Sequence, residues 1–107
     1  MSAALDLLTE LVHADTVGAR EGASARRCAD LLTDAAFTVA TPAWEPGREQ
    51  LVARTGSGDA PLTLTGHLDT VPTEDPAAWA ADPWSAGRDG DRVLGRGTSD
   101  MKSGVAA

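Results

Sequence analysis

The chain is 107 residues long, 42% hydrophobic, and carries a formal net charge of −7 at pH 7. That is enough apolar material for one modest globular domain and too much for a disordered chain, and the negative charge repels phosphate backbones and anionic lipid, which argues against nucleic-acid and membrane partners. No apolar run reaches the ~20 residues of a bilayer-spanning helix, residues 1–6 lack the basic start of a secretory signal, and Cys28 alone permits neither an internal disulfide nor a thiol zinc cluster, so the expected location is the cytoplasm.

Leu5, Leu8, Leu11 and Val12 fall at helical spacing behind Ser2, which predicts a capped helix over residues 2–13. His13 at its end reads as a surface or capping residue. A turn follows at 17–22, where Gly18 and Gly22 break the pattern. A second helix is expected over 24–36, burying Cys28, Leu31, Leu32 and Ala35, with Cys28 as core rather than nucleophile. Strands are expected at 37–39, 50–55 and 62–65, the last opened by Pro61 and closed by Gly66. Trp44 lies in a proline-flanked turn and supports no functional reading. Residues 70–90 are turn-rich, with Trp79 and Trp84 read as loop anchors. A brief strand at 92–94 leads into Gly95-Arg96-Gly97, and a helix is expected to begin near Asp100 or Lys102. This order of elements points to a layered α/β fold. The small apolar residues at 104–107 carry no polar stop, which reads as a helix cut short after one turn.

Two segments carry chemistry. The first, Gly66-His67-Leu68-Asp69-Thr70-Val71-Pro72, follows an expected strand. In an extended chain residues i and i+2 share a face, so Asp69 can hold the far N–H of a metal-binding His67. The end of a strand in an α/β sheet is also where ligand crevices open. Alone, a His-x-Asp tripeptide reads first as a polar loop with a turn cap. The second segment, Gly95-Arg96-Gly97-Thr98-Ser99 followed by Asp100-Met101-Lys102-Ser103-Gly104, is a glycine-shaped loop feeding a helix. Taken alone, Asp100 or Ser99 there reads as a helix N-cap. A carboxylate can also bridge two cations about 3.5–4 Å apart, as two-metal hydrolases require. Lys102, the one lysine beside eight arginines, reads as a solvated charge on the helix.

Taken together, these two motifs with Trp79 and Asp82-Pro83-Trp84 between them resemble one zinc-dependent amidohydrolase/metallopeptidase family. It contains acetylornithine deacetylase, succinyl-diaminopimelate desuccinylase, aminoacylase and carboxypeptidase G. The similarity spans nearly the whole chain. By that resemblance His67 is a metal ligand, Asp69 a catalytic residue that orients it, and Asp100 a metal ligand bridging two zinc ions. The peptide after the bridging aspartate is often cis in the family, which puts Asp100-Met101 in that position.

The resemblance implies a three-layer α/β/α zinc-exopeptidase-like catalytic domain, with residues 1–107 as its N-terminal part. The C-terminal remainder, with the general-base glutamate and further ligands, and an inserted dimerisation domain would then be absent. The implied function is metal-dependent hydrolysis of an amide bond in N-acyl amino acids or short peptides with a free carboxylate, through a water activated between two metals. Cobalt or manganese would suit the same ligands as zinc. The implied partners are a small-molecule substrate and, for the full-length protein, a second copy in a homodimer. The alternative is a catalytically inactive fragment or degenerate copy of the fold serving as a protein-interaction module.

Overall fold

A computed structural model describes residues 2–107. Two compact units are present, one formed by residues 2–18 with 66–107 and the other by Ala19–Thr65.

In the first unit, helix α1 spans Ala3–His13, and the Ser2 hydroxyl accepts the Leu5 N–H at 3.3 Å as its N-cap. Leu8, Leu11 and Val12 are buried along one face. Leu8 and Val12 form the core with Ala86, and Val93 and Ala106 pack against it. Each such Leu or Val contributes about 1.5–3 kcal/mol when fully removed from water. His13 is exposed at the helix end and its Nε2–H donates to the Ser85 carbonyl at 3.2 Å.

The second unit is built on helix α2, Gly22–Asp34, and the antiparallel pair β1 (Thr38–Ala40) and β2 (Val52–Arg54). The helix starts two residues before the expected position because the Gly22 N–H is taken by the Gly47 carbonyl at 3.0 Å. A Cβ at Gly22 would meet the Glu49 carboxylate and, at 2.9 Å, the Gly47 carbonyl, so only glycine admits this approach. The inward face is made of small residues, Ser24, Ala25, Cys28 and Ala29. Cys28 is core, as expected, whereas Leu31 and Leu32 are half-buried and Ala35 is exposed. The helix ends where the Ala36 and Phe37 N–H groups turn back to the Thr33 and Leu32 carbonyls, each at 2.9 Å, with Ala36 at φ +65°. That is the Schellman arrangement, here with alanine where glycine is usual.

The strand expected at 62–65 does not form. Leu62 and Leu64 are 89% and 86% exposed, and among the described residues no strand lies beside them. Alternation of apolar and polar residues makes a strand only where a neighbour takes up its ladder hydrogen bonds.

Back in the first unit, residues 70–86 run as loop with one 3₁₀ turn, Pro76–Ala78, capped by Asp75. Two short strands follow, β3 (Gly87–Asp89) and β4 (Arg92–Leu94), paired antiparallel. β4 lies where the sequence places it. β3 was read as loop, since Gly87-Arg88-Asp89 shows no strand pattern and extends only by pairing with β4. Helix α3, Ser103–Ala106, closes the described chain. The described residues thus form a mixed fold of helices and two separate two-stranded antiparallel sheets. No helix among them is long and apolar enough to cross a membrane.

Candidate functional site

His67 follows Gly66, which lies close against the side chains of the second motif's turn and helix. A Cβ at Gly66 would stand 3.0 Å from Met101 Cε and 3.1 Å from Val105 Cγ2. The first motif therefore runs directly against the second. Beyond His67, the Thr70 N–H donates to the Thr16 carbonyl at 3.4 Å, and Val17 and Thr70 form an isolated parallel bridge.

Asp100 sits in a turn at Thr98–Lys102 that is helical only in its hydrogen bonding. Asp100 (φ −131°, ψ 95°) and Met101 (φ −137°, ψ 31°) are both non-helical. The Asp100–Met101 peptide is cis, as the resemblance implied. Gly97 enters the turn at φ +85°, and its carbonyl accepts the Lys102 N–H at 2.8 Å. Neither Ser99 nor Asp100 caps α3, whose N-cap position is Lys102 with no side-chain cap bond.

These two turns bring the predicted residues together. His67 Nε2 lies 2.9 Å from Asp100 Oδ1. On the other side of the ring, Nδ1–H donates to the main-chain carbonyl of Asp69 at 3.0 Å, while the Asp69 carboxylate stands at 3.5 Å. On this side the ring contacts Asp69 chiefly through its main-chain carbonyl rather than its carboxylate. The Asp69 carbonyl, with further support from the Asp100 carboxylate, holds the His67 pKa above its ordinary 6.5, against an opposing effect of burial. The His67 and Asp100 side chains are both open to solvent, 45% exposed for His67 and 85% for Asp100.

They border a cavity of about 290 Å³ whose other walls include Asp69, Trp79, Arg96 and Thr98. Trp79 anchors its loop through Nε1–H to the Thr73 carbonyl at 3.1 Å, and the Arg96 guanidinium stacks on its indole, 4.8 Å from the ring centre. The Arg96 main-chain N–H donates to the Pro83 carbonyl at 2.8 Å. Asp82, just before Pro83, accepts the Trp84 N–H at 3.0 Å, so Asp82-Pro83-Trp84 forms a turn that braces the glycine loop. Arg96 Nε is buried without a hydrogen-bond partner among the described residues.

Sequence reasoning missed Thr16 and misread Lys102. Lys102 is fully buried rather than solvated, and its ammonium donates to the carbonyls of Leu11 at 2.6 Å and Ala14 at 2.9 Å. Burial pushes its pKa below the usual lysine value, opposed by Asp15. Thr16, also fully buried, donates to the Leu68 carbonyl at 2.7 Å. Neither role has a local sequence signal, since both partners are main-chain atoms distant in the chain.

The donor set suits a divalent cation only in part. An imidazole and a carboxylate are proper ligands for zinc, cobalt or manganese. Two ligands at ~2.0–2.2 Å from a tetrahedral ion stand ~3.3 Å apart, so the observed 2.9 Å needs to open by only a few tenths of an ångström. Among the described residues, however, no group of three or more His, Cys, Asp or Glu side chains converges on one point. A catalytic zinc takes three protein ligands and a water.

Comparison with known proteins agrees with the motifs. Residues 63–107 match the profile of peptidase family M20/M25/M40. Succinyl-diaminopimelate desuccinylase of Methylobacterium nodulans is 42% identical over 106 residues, covering 95% of this chain and 27% of that protein. The desuccinylase of Afipia carboxidovorans is 38% identical over 110 residues, 99% of this chain and 29% of that protein. Acetylornithine deacetylase of Vibrio atlanticus is 41% identical over 76 residues, 71% of this chain and 20% of that protein. The chain thus spans between a fifth and a third of the length of these relatives.

Proposed function

From the membership of this chain in peptidase family M20/M25/M40, we propose that it supplies part of the active site of a metal-dependent amidohydrolase. Its substrates are N-acyl amino acids or short peptides with a free carboxylate. The observation that carries this reading is the convergence of His67 Nε2 and Asp100 Oδ1, 2.9 Å apart at the edge of an open cavity.

In this reading His67 and Asp100 would hold the metal, zinc by preference, and Asp100 would also serve a second ion. When bound, the metal supplies Lewis acidity and makes a water acidic enough to deprotonate near neutral pH. The chain's own residues do the rest of what is assigned here. Asp69 fixes the His67 ring so that Nε2, not Nδ1, faces the ion. Arg96, the one arginine bordering the cavity among the described residues, faces the carboxylate of the substrate from its seat on Trp79. The described residues offer two metal donors, so further ligands and the general base come from elsewhere in the hydrolase. The three-layer α/β/α domain, with residues 1–107 as its N-terminal part, belongs to the same proposal, as do the homodimer and the cytoplasmic location.

A chimera tests it. Residues 1–107 replace the corresponding segment of the Methylobacterium nodulans desuccinylase, and release of succinate from the N-succinyl substrate is measured. Activity that is lost in His67→Ala and in Asp100→Ala supports the assignment. A folded, zinc-loaded chimera without activity contradicts it, as does activity that survives either substitution.

A further inference from the structure

The buried lysine of the second motif and the buried threonine after α1 act on the two ends of the same short segment. The last carbonyls of a helix lack intrahelical partners, and a cation beside them is favoured by the helix dipole. Lys102 fills that place at α1, bonding the carbonyls of Leu11 and Ala14. Its stem lies across Gly97, where a Cβ would stand 3.0 Å from Lys102 Cδ and 3.3 Å from Cε. Its main-chain N–H bonds the Gly97 carbonyl. The turn that presents Asp100 is therefore tied at its far end to α1 by one side chain.

Thr16 follows Ala14 by two residues and grips the other motif. Its hydroxyl donates to the carbonyl of Leu68, between His67 and Asp69, and its own carbonyl accepts the Thr70 N–H. Residues 14–16 thus hold the Asp100 turn through Ala14 and the His67 segment through Thr16. On this route each accepting group is a main-chain carbonyl, and the two donating side chains are themselves fully buried.

We propose that Lys102 and Thr16 are positioning residues that set the spacing between His67 Nε2 and Asp100 Oδ1, and through it the grip of this pair on a divalent cation. The spacing claim stands on the hydrogen bonds alone, whereas the cation rests on the function proposed above. Neither residue touches the metal or the substrate. Their effect passes through the Leu68 carbonyl in one case and through the Leu11 and Ala14 carbonyls in the other.

The test uses the 107-residue chain with Thr16→Val, Thr16→Ser and Lys102→Met, and Leu8→Ala as a core variant that touches neither motif. Two readouts are taken: the ring ¹⁵N shifts of His67 in the metal-free chain, and zinc affinity by calorimetry. Residues that orient metal ligands typically change affinity about 10–100-fold when removed, and that loss is expected for Thr16→Val and Lys102→Met. Both variants also move the His67 Nε2 resonance. Thr16→Ser, which keeps the hydroxyl, stays with the parent in both readouts, and Leu8→Ala lowers thermal stability while leaving the folded chain's shifts and affinity in place. Parent-like shifts and affinity in Thr16→Val overturn the proposal, and so do equal changes in Leu8→Ala. If Lys102→Met fails to fold, the two threonine variants decide. A parent chain that binds no zinc sinks the metal reading, and the ring shifts then decide the spacing claim by themselves.

Discussion

Adding one methyl group at Gly97 should cost far more than adding one at Gly90. Both glycines have positive φ, +85° and +60°, so alanine at either carries the left-handed backbone penalty of roughly 1–2 kcal/mol. At Gly90 the new Cβ meets nothing within 4 Å. At Gly97 it would stand 2.8 Å from Thr70 Cγ2 and 3.0 Å from Lys102 Cδ. Neither neighbour can swing aside, because Thr70 is 8% and Lys102 0% exposed. Overpacking of this kind costs about 1–3 kcal/mol, so Gly97→Ala should lose ~2–5 kcal/mol in total. Domains of this size hold roughly 5–15 kcal/mol, which makes the loss a large fraction of the whole. Urea unfolding followed by tryptophan fluorescence measures it. With a slope of about 1–3 kcal/mol per molar urea, the extra ~1–3 kcal/mol at Gly97→Ala should shift its midpoint down by roughly 0.3–3 M beyond Gly90→Ala. Equal midpoints for the two variants would refute the packing of Gly97 between the two motifs.

Other outcomes follow from the same geometry. Leu8→Ala should cost about 2–5 kcal/mol as a core truncation, whereas Leu62→Ala, at an 89% exposed position, should stay within about 0.5 kcal/mol of the parent; equal losses would relocate the core. His67 is raised above its ordinary value in the folded chain, so its contribution to stability is fully present below pH ~6.5 and fades as pH rises through the folded pKa. Solvent exposure keeps that contribution small, and it is read as a pH-dependent difference between the parent and His67→Gln in urea midpoint. Zinc affinity should run the opposite way across the same window, rising with pH as the proton leaves Nε2, and a pH-independent affinity would contradict the placement of His67 at the metal.

How much of this was legible in the sequence depends on the range of the interaction. Helix α1 was read closely because its apolar spacing and Ser2 cap are local. Strand β4 was read for the same reason, and β3 was missed because its extension comes from its partner rather than its own residues. The alternation at 62–65 misled, since Leu62 and Leu64 have the pattern of a strand without a neighbour to pair with. Motif order singles out His67 and Asp100, and the distances place the two side by side. Asp69 was assigned to the ring through its carboxylate, whereas the shorter contact is its main-chain carbonyl. Such a bond leaves no mark in side-chain identity. Lys102 and Thr16 were out of reach on the same ground, because a lysine at the start of a helix normally faces water and a threonine in a loop has no preferred role.

Zinc titration of the 107-residue chain, beside His67→Ala and Asp100→Ala, tests the metal-site reading most directly. The parent should bind weakly, because two protein donors fall short of the three that hold a catalytic zinc. Each substitution should abolish that binding while leaving the fold intact, since both side chains lie in solvent. Zinc binding of parental strength in either variant would remove the His67–Asp100 pair from the metal site and contradict the proposal that this pair holds the metal.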